Sequence, residues 1–391
     1  MGKTLRELEQ AEQAMPAYLA DLQAIVNIDS GTYTLAGINR VGAYLAERFQ
    51  GWGFATRFDQ QTQYGNHLIA TRQGSHPTGP RLLLIGHIDT VFAEGEAARR
   101  PFSLSEREGK HIATGPGVLD MKSGVLLAMY ALRLLQESGE DAYQSVTFLC
   151  NSDEEIGSPS SKPLIKELAG QHDAVLVFEP GRKEQNVVSA RKGSGHYKVE
   201  VWGRSAHAGV EPHLGRNAIL ELASQVQKLH ALNDTIPGVT LSVGIIRGGE
   251  RTNVVPDYAY CELDVRAADQ AGIRAIEQAM REVTAQPILA DTRIALSGSM
   301  SSQPFERNVR NEPLIAHIKA AGVDLGLDIQ DVSTGGASDA NTSSWVGAPT
   351  LDGLGTGGGL AHNPDEYIEL DYLPKRIALV MRLVKRLGQT V

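Results

Sequence analysis

A chain of 391 residues is longer than one hydrophobic core ordinarily serves, which excludes a single small module and predicts two or three domains. Apolar residues make up 42% and charged residues 21%, ordinary globular proportions that exclude a disordered tail. The net charge of -9, from 37 basic and 46 acidic residues, supplies no basic field, so nucleic acid is not an expected partner and any anion site must be local.

Two cysteines, Cys150 and Cys261, are too few for a disulfide framework and read as small buried apolar groups. The first ten residues carry charge where a signal peptide needs an apolar stretch, and no apolar run reaches the ~18 residues of a membrane span. The expectation is a cytoplasmic chain without a membrane partner, unless a leader has been removed.

Apolar residues recur at helical spacing from Leu5 to about Val26 and again from Ile38 to Phe49. Short apolar runs follow at Leu82 to Ile85, Val146 to Cys150 and Val175 to Phe178, with a helical pattern from Gly124 to Leu135 between the first two. Strands alternating with helices predict an α/β domain whose mostly parallel sheet is covered by helices, with chemistry beyond the carboxyl ends of the strands. After about Arg191 the pattern becomes β-α-β-β-α-β, ending near Thr292 to Leu296, the order of a ferredoxin-like module. The α/β texture returns from about Gln303 and closes with a helix ending near Leu387. The predicted organisation is a discontinuous catalytic domain, 1–191 and 303–391, interrupted by a smaller domain at 192–302.

Candidate chemistry falls at the strand ends. Gly86-His87-Ile88-Asp89 places an imidazole just past an apolar strand, with a carboxylate two residues on. Residues two apart on an extended backbone share a face, so Asp89 can accept the second ring N–H of His87, the usual support of a metal-bound imidazole. A Gly- and Pro-built turn, Gly115-Pro116-Gly117-Val118-Leu119-Asp120, presents a carboxylate ahead of a helix. Asp153-Glu154-Glu155 follows the next strand; three consecutive acids repel one another unless a cation stands nearby. Glu179 follows the strand after that, and His362 comes late, behind the glycines Gly357, Gly358 and Gly359. Nitrogen and oxygen donors without thiolate suit zinc first, with cobalt or manganese as alternatives. Two ions sharing one carboxylate are the common hydrolytic arrangement.

These segments, in this order, resemble the M20 family of co-catalytic zinc peptidases, and within it the glutamate carboxypeptidases that hydrolyse folates. The match spans nearly the whole chain and includes Glu179-Pro180 and Ser205-Ala206-His207-Ala208-Gly209. The resemblance implies that Asp120 bridges two ions, with His87 and Glu179 on one and Glu155 and His362 on the other. It implies a cis peptide bond after Asp120 and a general-base role for Glu154, which stays free to take a proton while its neighbour is neutralised.

The inserted domain is expected to act as lid and homodimer surface. His207 resembles the family histidine that stabilises the oxyanion in the other subunit. Asn253 and Arg266 match lid positions that hold a substrate's C-terminal carboxylate, and N–H groups of Gly357, Gly358 and Gly359 can add to that pocket. The implied activity is hydrolysis of the C-terminal amide bond of an N-acyl amino acid or small peptide, with release of glutamate as the leading case. The alternatives are a deacetylase of the acetylornithine or succinyl-diaminopimelate type, and a metal-stabilised peptide-binding protein without catalysis. No Gly-x-Ser-x-Gly elbow and no His-Glu-x-x-His pair occurs, which removes serine hydrolase and single-zinc peptidase readings. Gly353-x-Gly355-x-x-Gly358 fits a dinucleotide fingerprint only in form, because Pro364 follows where a helix must open.

Overall fold

The run Leu82-Leu83-Leu84-Ile85 has no polar face, and a strand covered on both sides accommodates it. In the computed structural model, which describes residues 2–389, it forms the strand Arg81–His87, buried from its second residue onward. The sheet runs Ala55–Asp59, His67–Gln73, Ser145–Asn151, Arg81–His87, Ala174–Val177, Thr350–Leu351. The last four are mutually parallel, and the first two form an antiparallel edge. This is the mostly parallel, helix-covered α/β sheet expected.

Register decides where the polar residues go. His87 lies opposite Asn151, and Ile85 lies opposite Val177. Two residues past Val177 is Glu179, which therefore leaves the sheet at the level of His87, while Glu154 lies three residues past Asn151. Polar groups from three strands are delivered to one edge by pairing alone.

The helix Ser123–Glu137 is buried on nearly every side, as its all-round apolar sequence requires. It packs against Gly2–Val26 and Leu373–Gly388, and the Tyr18 hydroxyl donates to the Ser123 carbonyl at 2.7 Å. At its start, a Cβ on Gly124 would fall 2.2 Å from the Phe178 carbonyl oxygen, and one on Gly355 would fall 2.4 Å from the same atom. Glycine at both positions lets the backbone carrying Glu179 pass between them.

The first and last helices of this unit are joined by charge. Glu7, 3% exposed, accepts from Lys385 Nζ at 2.8 Å and Arg382 Nη2 at 3.1 Å. Burial works against its charge, but these cations outweigh it and hold the carboxyl below its usual value. A lowered folded pKa contributes stability above the unfolded value of ~4.3, and that stability is lost as pH falls through the folded value. Glu7→Gln is expected to cost about 1.5–3 kcal/mol at pH 7, the range for hydrogen bonds to charged groups, and progressively less below pH ~4. Urea denaturation at both pH values checks this; an equal difference at both would show that the carboxylate's charge is irrelevant.

The chain divides into two units, the first comprising 1–189, 307–333 and 338–391, the second Ala190–Glu306 and Thr334–Ala337. The second unit includes the short return segment because Lys192 N–H donates to the Thr334 carbonyl and the Arg191 guanidinium to that of Gly336. Its antiparallel sheet has the order Thr240–Gly248, Tyr258–Ala267, Gly193–Trp202, Arg293–Ser302. One face buries Tyr197, Val199, Val201, Leu263 and Val265 with Leu222, Leu229, Ile273, Ile276 and Met280 of two helices, the βαββαβ arrangement. Among the described residues no helix is long and apolar enough to cross a membrane.

Candidate metal centre

Asp120 is held at the end of a tight turn. Gly117 has φ +70°, and a Cβ there would fall 2.4 Å from the Thr90 methyl, so glycine alone suits both conformation and space. The Asp120–Met121 peptide bond is cis. The two Asp120 oxygens face different imidazoles: Oδ1 lies 3.0 Å from His87 Nε2, and Oδ2 lies 3.2 Å from His362 Nε2. Glu179 Oε1 is 3.8 Å from His87 Nε2, and Glu155 Oε2 is 3.3 Å from His362 Nε2. Donor atoms of His87, Asp120 and Glu155 lie within 4.8 Å of one another, as do those of His87, Glu154 and Glu179.

The charges need a cation. Burial and the neighbouring Glu179 push the Glu154 carboxyl well above its usual range, and burial raises Glu155 as well. Burial opposes a charge on His87, yet Asp120 and Asp89 outweigh it and hold the imidazole well above its ordinary value. Hydrogen bonds to Asp120 and Glu155 bring His362 up to about 10. Four carboxyl groups, those of Asp120, Glu154, Glu155 and Glu179, thus converge on two imidazoles, a charge balance that a bound divalent ion would offset. Glu155 Oε1 is buried without a hydrogen-bond partner, a costly state for an anion. These features and the donor chemistry fit metal binding.

Supporting contacts fix the donors. His87 Nδ1 meets the Asp89 main-chain carbonyl at 2.9 Å, and the Asp89 carboxylate only at 3.4 Å. The ring partner is thus chiefly the backbone of Asp89, because its carboxylate is used elsewhere. It accepts from the Thr32 hydroxyl at 2.7 Å and from the N–H groups of Glu154 and Glu155, each at 3.2 Å. Asp89 therefore orients the glutamate pair as well as the histidine.

Asp153, read in the sequence as one of three acids facing a cation, has another role, and two further buried acids near the centre, Asp339 and Glu366, were not singled out. Asp153 is spent on its own loop, accepting from Ser160 and Ser161; the serines after Glu155 are the only local hint. Asp339 accepts from Asn151 Nδ2 at 2.7 Å and Ser158 Oγ at 2.5 Å, and burial pushes it up to about 6. Glu366 accepts from the N–H groups of Leu119 and Asp120.

Residues 83–386 match peptidase family M20/M25/M40. The chain belongs to this family. Across 97% of its length it is 30% identical to Carboxypeptidase G2 of Pseudomonas sp. (strain RS-16), covering 91% of that protein. It is 26% identical to an acetylornithine deacetylase of Proteus mirabilis (strain HI4320), over 95% of this chain and 97% of the relative. The structure of the aminopeptidase PepT from Bacillus cereus ATCC 10987 shares the fold, with TM-score 0.82 at 22% identity over 95% of this chain and 98% of that one. Membership makes the protein a hydrolase of the metallopeptidase class.

The remaining candidates of this M20 chain are His207, Asn253, Arg266 and the glycine run 357–359. His207 and Asn253 sit in the second unit, on or beside the ribbon of Ala206–His207 and Val254–Val255. His207 Nδ1 accepts from the N–H groups of Gly209 and Val210, both at 3.2 Å, so the neutral ring carries its proton on Nε2 as an outward donor. Arg266, in the same unit, is held by Asp264 in two parallel bonds of 2.8 and 3.0 Å, so its fork already engages a carboxylate. The run Gly357 to Gly359 is no bare loop. Gly358–Gly359 pairs with Tyr367–Glu369, and a Cβ on Gly358 would fall 2.0 Å from the Tyr367 carbonyl oxygen, so close strand approach demands the glycine.

Proposed function

We propose that the protein is a di-metal amidohydrolase that cleaves the C-terminal amide bond of an N-acyl amino acid or small peptide with a free terminal carboxylate, releasing glutamate. The observation that carries this reading is the position of Asp120, one oxygen toward each imidazole, with a further glutamate beside each ring. His87, Asp120 and Glu179 would hold one ion, and Asp120, Glu155 and His362 the other, zinc being the first expectation. When bound, such ions polarise the scissile carbonyl and lower the pKa of the attacking water toward ~7.

The chain's own groups do the rest. Glu154 receives the proton of the attacking water and passes it to the departing amine. His207 Nε2–H serves as donor to the developing oxyanion, and Asn253 and Arg266 meet the substrate carboxylate. For Arg266 this requires sharing its guanidinium with Asp264 or releasing it. The second unit pairs two copies in this reading. Its edge strand Thr240–Gly248 exposes Ile245 and Ile246, an edge that a second strand would cover.

The likeness to Carboxypeptidase G2 favours release of a C-terminal residue, glutamate being the case the motif resemblance implies, and that to acetylornithine deacetylases supports a second reading, removal of an acyl group from a basic amino acid. Steady-state kinetics on an N-acyl glutamate, its α-amide and N-acetylornithine separate them. The free acid is expected to exceed its amide by at least about tenfold in kcat/KM, the minimum for a lost charge-assisted pair. Equal rates would remove the carboxylate clamp, and preference for N-acetylornithine would select the second reading.

A further inference from the structure

We propose that Glu366 is a positioning residue that ties the loop carrying His362 to the turn carrying Asp120, so that these two donors are set as one unit. The inference rests on the two-cation reading above. Glu366 is fully buried. Its Oε1 accepts from Leu119 N–H at 2.6 Å and Asp120 N–H at 2.9 Å, across 247 and 246 residues of sequence. On the other side, Glu366 N–H donates to the Asn363 carbonyl, and Asn363 N–H to that of Leu360. These successive turns link Glu366 to His362 through a short, internally bonded segment.

A buried carboxylate is expensive unless it is hydrogen-bonded; burial pushes Glu366 up to about 7, against the pull of the Asp120 and Leu119 N–H groups. Here the Leu119 and Asp120 amides point at a single oxygen, and an anion accepts from two N–H donors at once better than a neutral group does. Without it both amides, in a turn where Leu119 is buried, lose their partner. The side-chain ammonium of Lys122, also buried, donates to the Ile28 carbonyl at 3.0 Å and bears on Glu366 by charge. Lys122 braces the following residues of the same turn. Glu366 Oε2 has no hydrogen-bond partner, and the bonds that cross from the late loop to the turn are those of Oε1. Because the tether pulls on the main chain of Asp120, it sets where both carboxylate oxygens of that residue point without touching substrate.

Two conservative variants separate reach from charge. Glu366→Gln keeps an acceptor oxygen at full reach and loses the charge, whereas Glu366→Asp keeps the charge and retracts the oxygen by one methylene. The readout is calorimetric titration of metal-free protein with Zn2+, with far-UV circular dichroism to establish that each variant is folded. Wild type is expected to take up two ions. Glu366→Asp should bind the weaker ion about 10–100-fold less tightly, as for other outer partners of metal ligands, and Glu366→Gln should lie between it and wild type. In turnover, Glu366→Asp should lower kcat with KM little changed, because substrate contacts are untouched. The opposite order, with Gln worse than Asp, or wild-type affinity in both variants, overturns the positioning role alone. A wild-type protein that binds fewer than two ions overturns the two-cation reading and this inference with it.

Discussion

Glu154→Gln is expected to keep both metal ions and lose about 10²–10⁴-fold in kcat, the range for removing a positioned general base. Glutamine matches glutamate in size, and the N–H of residue 154 still meets Asp89 Oδ1 at 3.2 Å, so the turn has no reason to move. What disappears is the capacity to take a proton. The test also discriminates between roles, because Glu154 lies within reach of His87 and Glu179 and could itself be a donor. Were it a ligand, the variant would lose metal as well as turnover. Metal content and kcat measured on the same preparation give the answer, and a variant that stays fully active would show that another group is the base.

Asp120→Asn is expected to be at least comparably damaging and to fail differently. An amide offers one carbonyl oxygen and one donor group, so only one of the two contacts at 3.0 and 3.2 Å to the imidazoles can remain a metal-binding position. Metal content should fall to one ion or fewer per chain. Loss of a metal's transition-state stabilisation, several kcal/mol, corresponds at 1.36 kcal/mol per tenfold to about a 10³-fold or greater loss of kcat. Retention of two tightly bound ions, measured after dialysis by atomic absorption, would refute the bridging assignment for Asp120.

The parts of the centre that could be read from the chain are those encoded locally. His87, Glu154, Glu155 and Glu179 each follow an apolar run, and an apolar run bounded by polar residues marks a strand end whether or not its neighbours are known. The parallel register then needs only the order of strands to bring these residues to one edge. The antiparallel edge, Ala55–Asp59 and His67–Gln73, was not legible, because Thr56, Arg57, Asp59, Thr71 and Arg72 interrupt any apolar alternation. The roles of Asp153, Asp339 and Glu366 were hidden for a different reason. Asp339 and Glu366 are explained only by partners that tertiary structure delivers, 188 residues away for the Asn151 amide on Asp339, and Asp153 by serines whose loop must first fold back on it. The pairing of Arg266 with Asp264, by contrast, follows from the two-residue period of a strand, which puts both side chains on one face.

His362 and Glu366 lie in the last stretch of the chain, just ahead of the helix Leu373–Gly388, which packs against the first helix of the same unit. During synthesis from the amino end the other five acid and imidazole groups emerge long before them. The candidate donor set is therefore brought together only once this late segment has docked against the turn of Leu119 and Asp120.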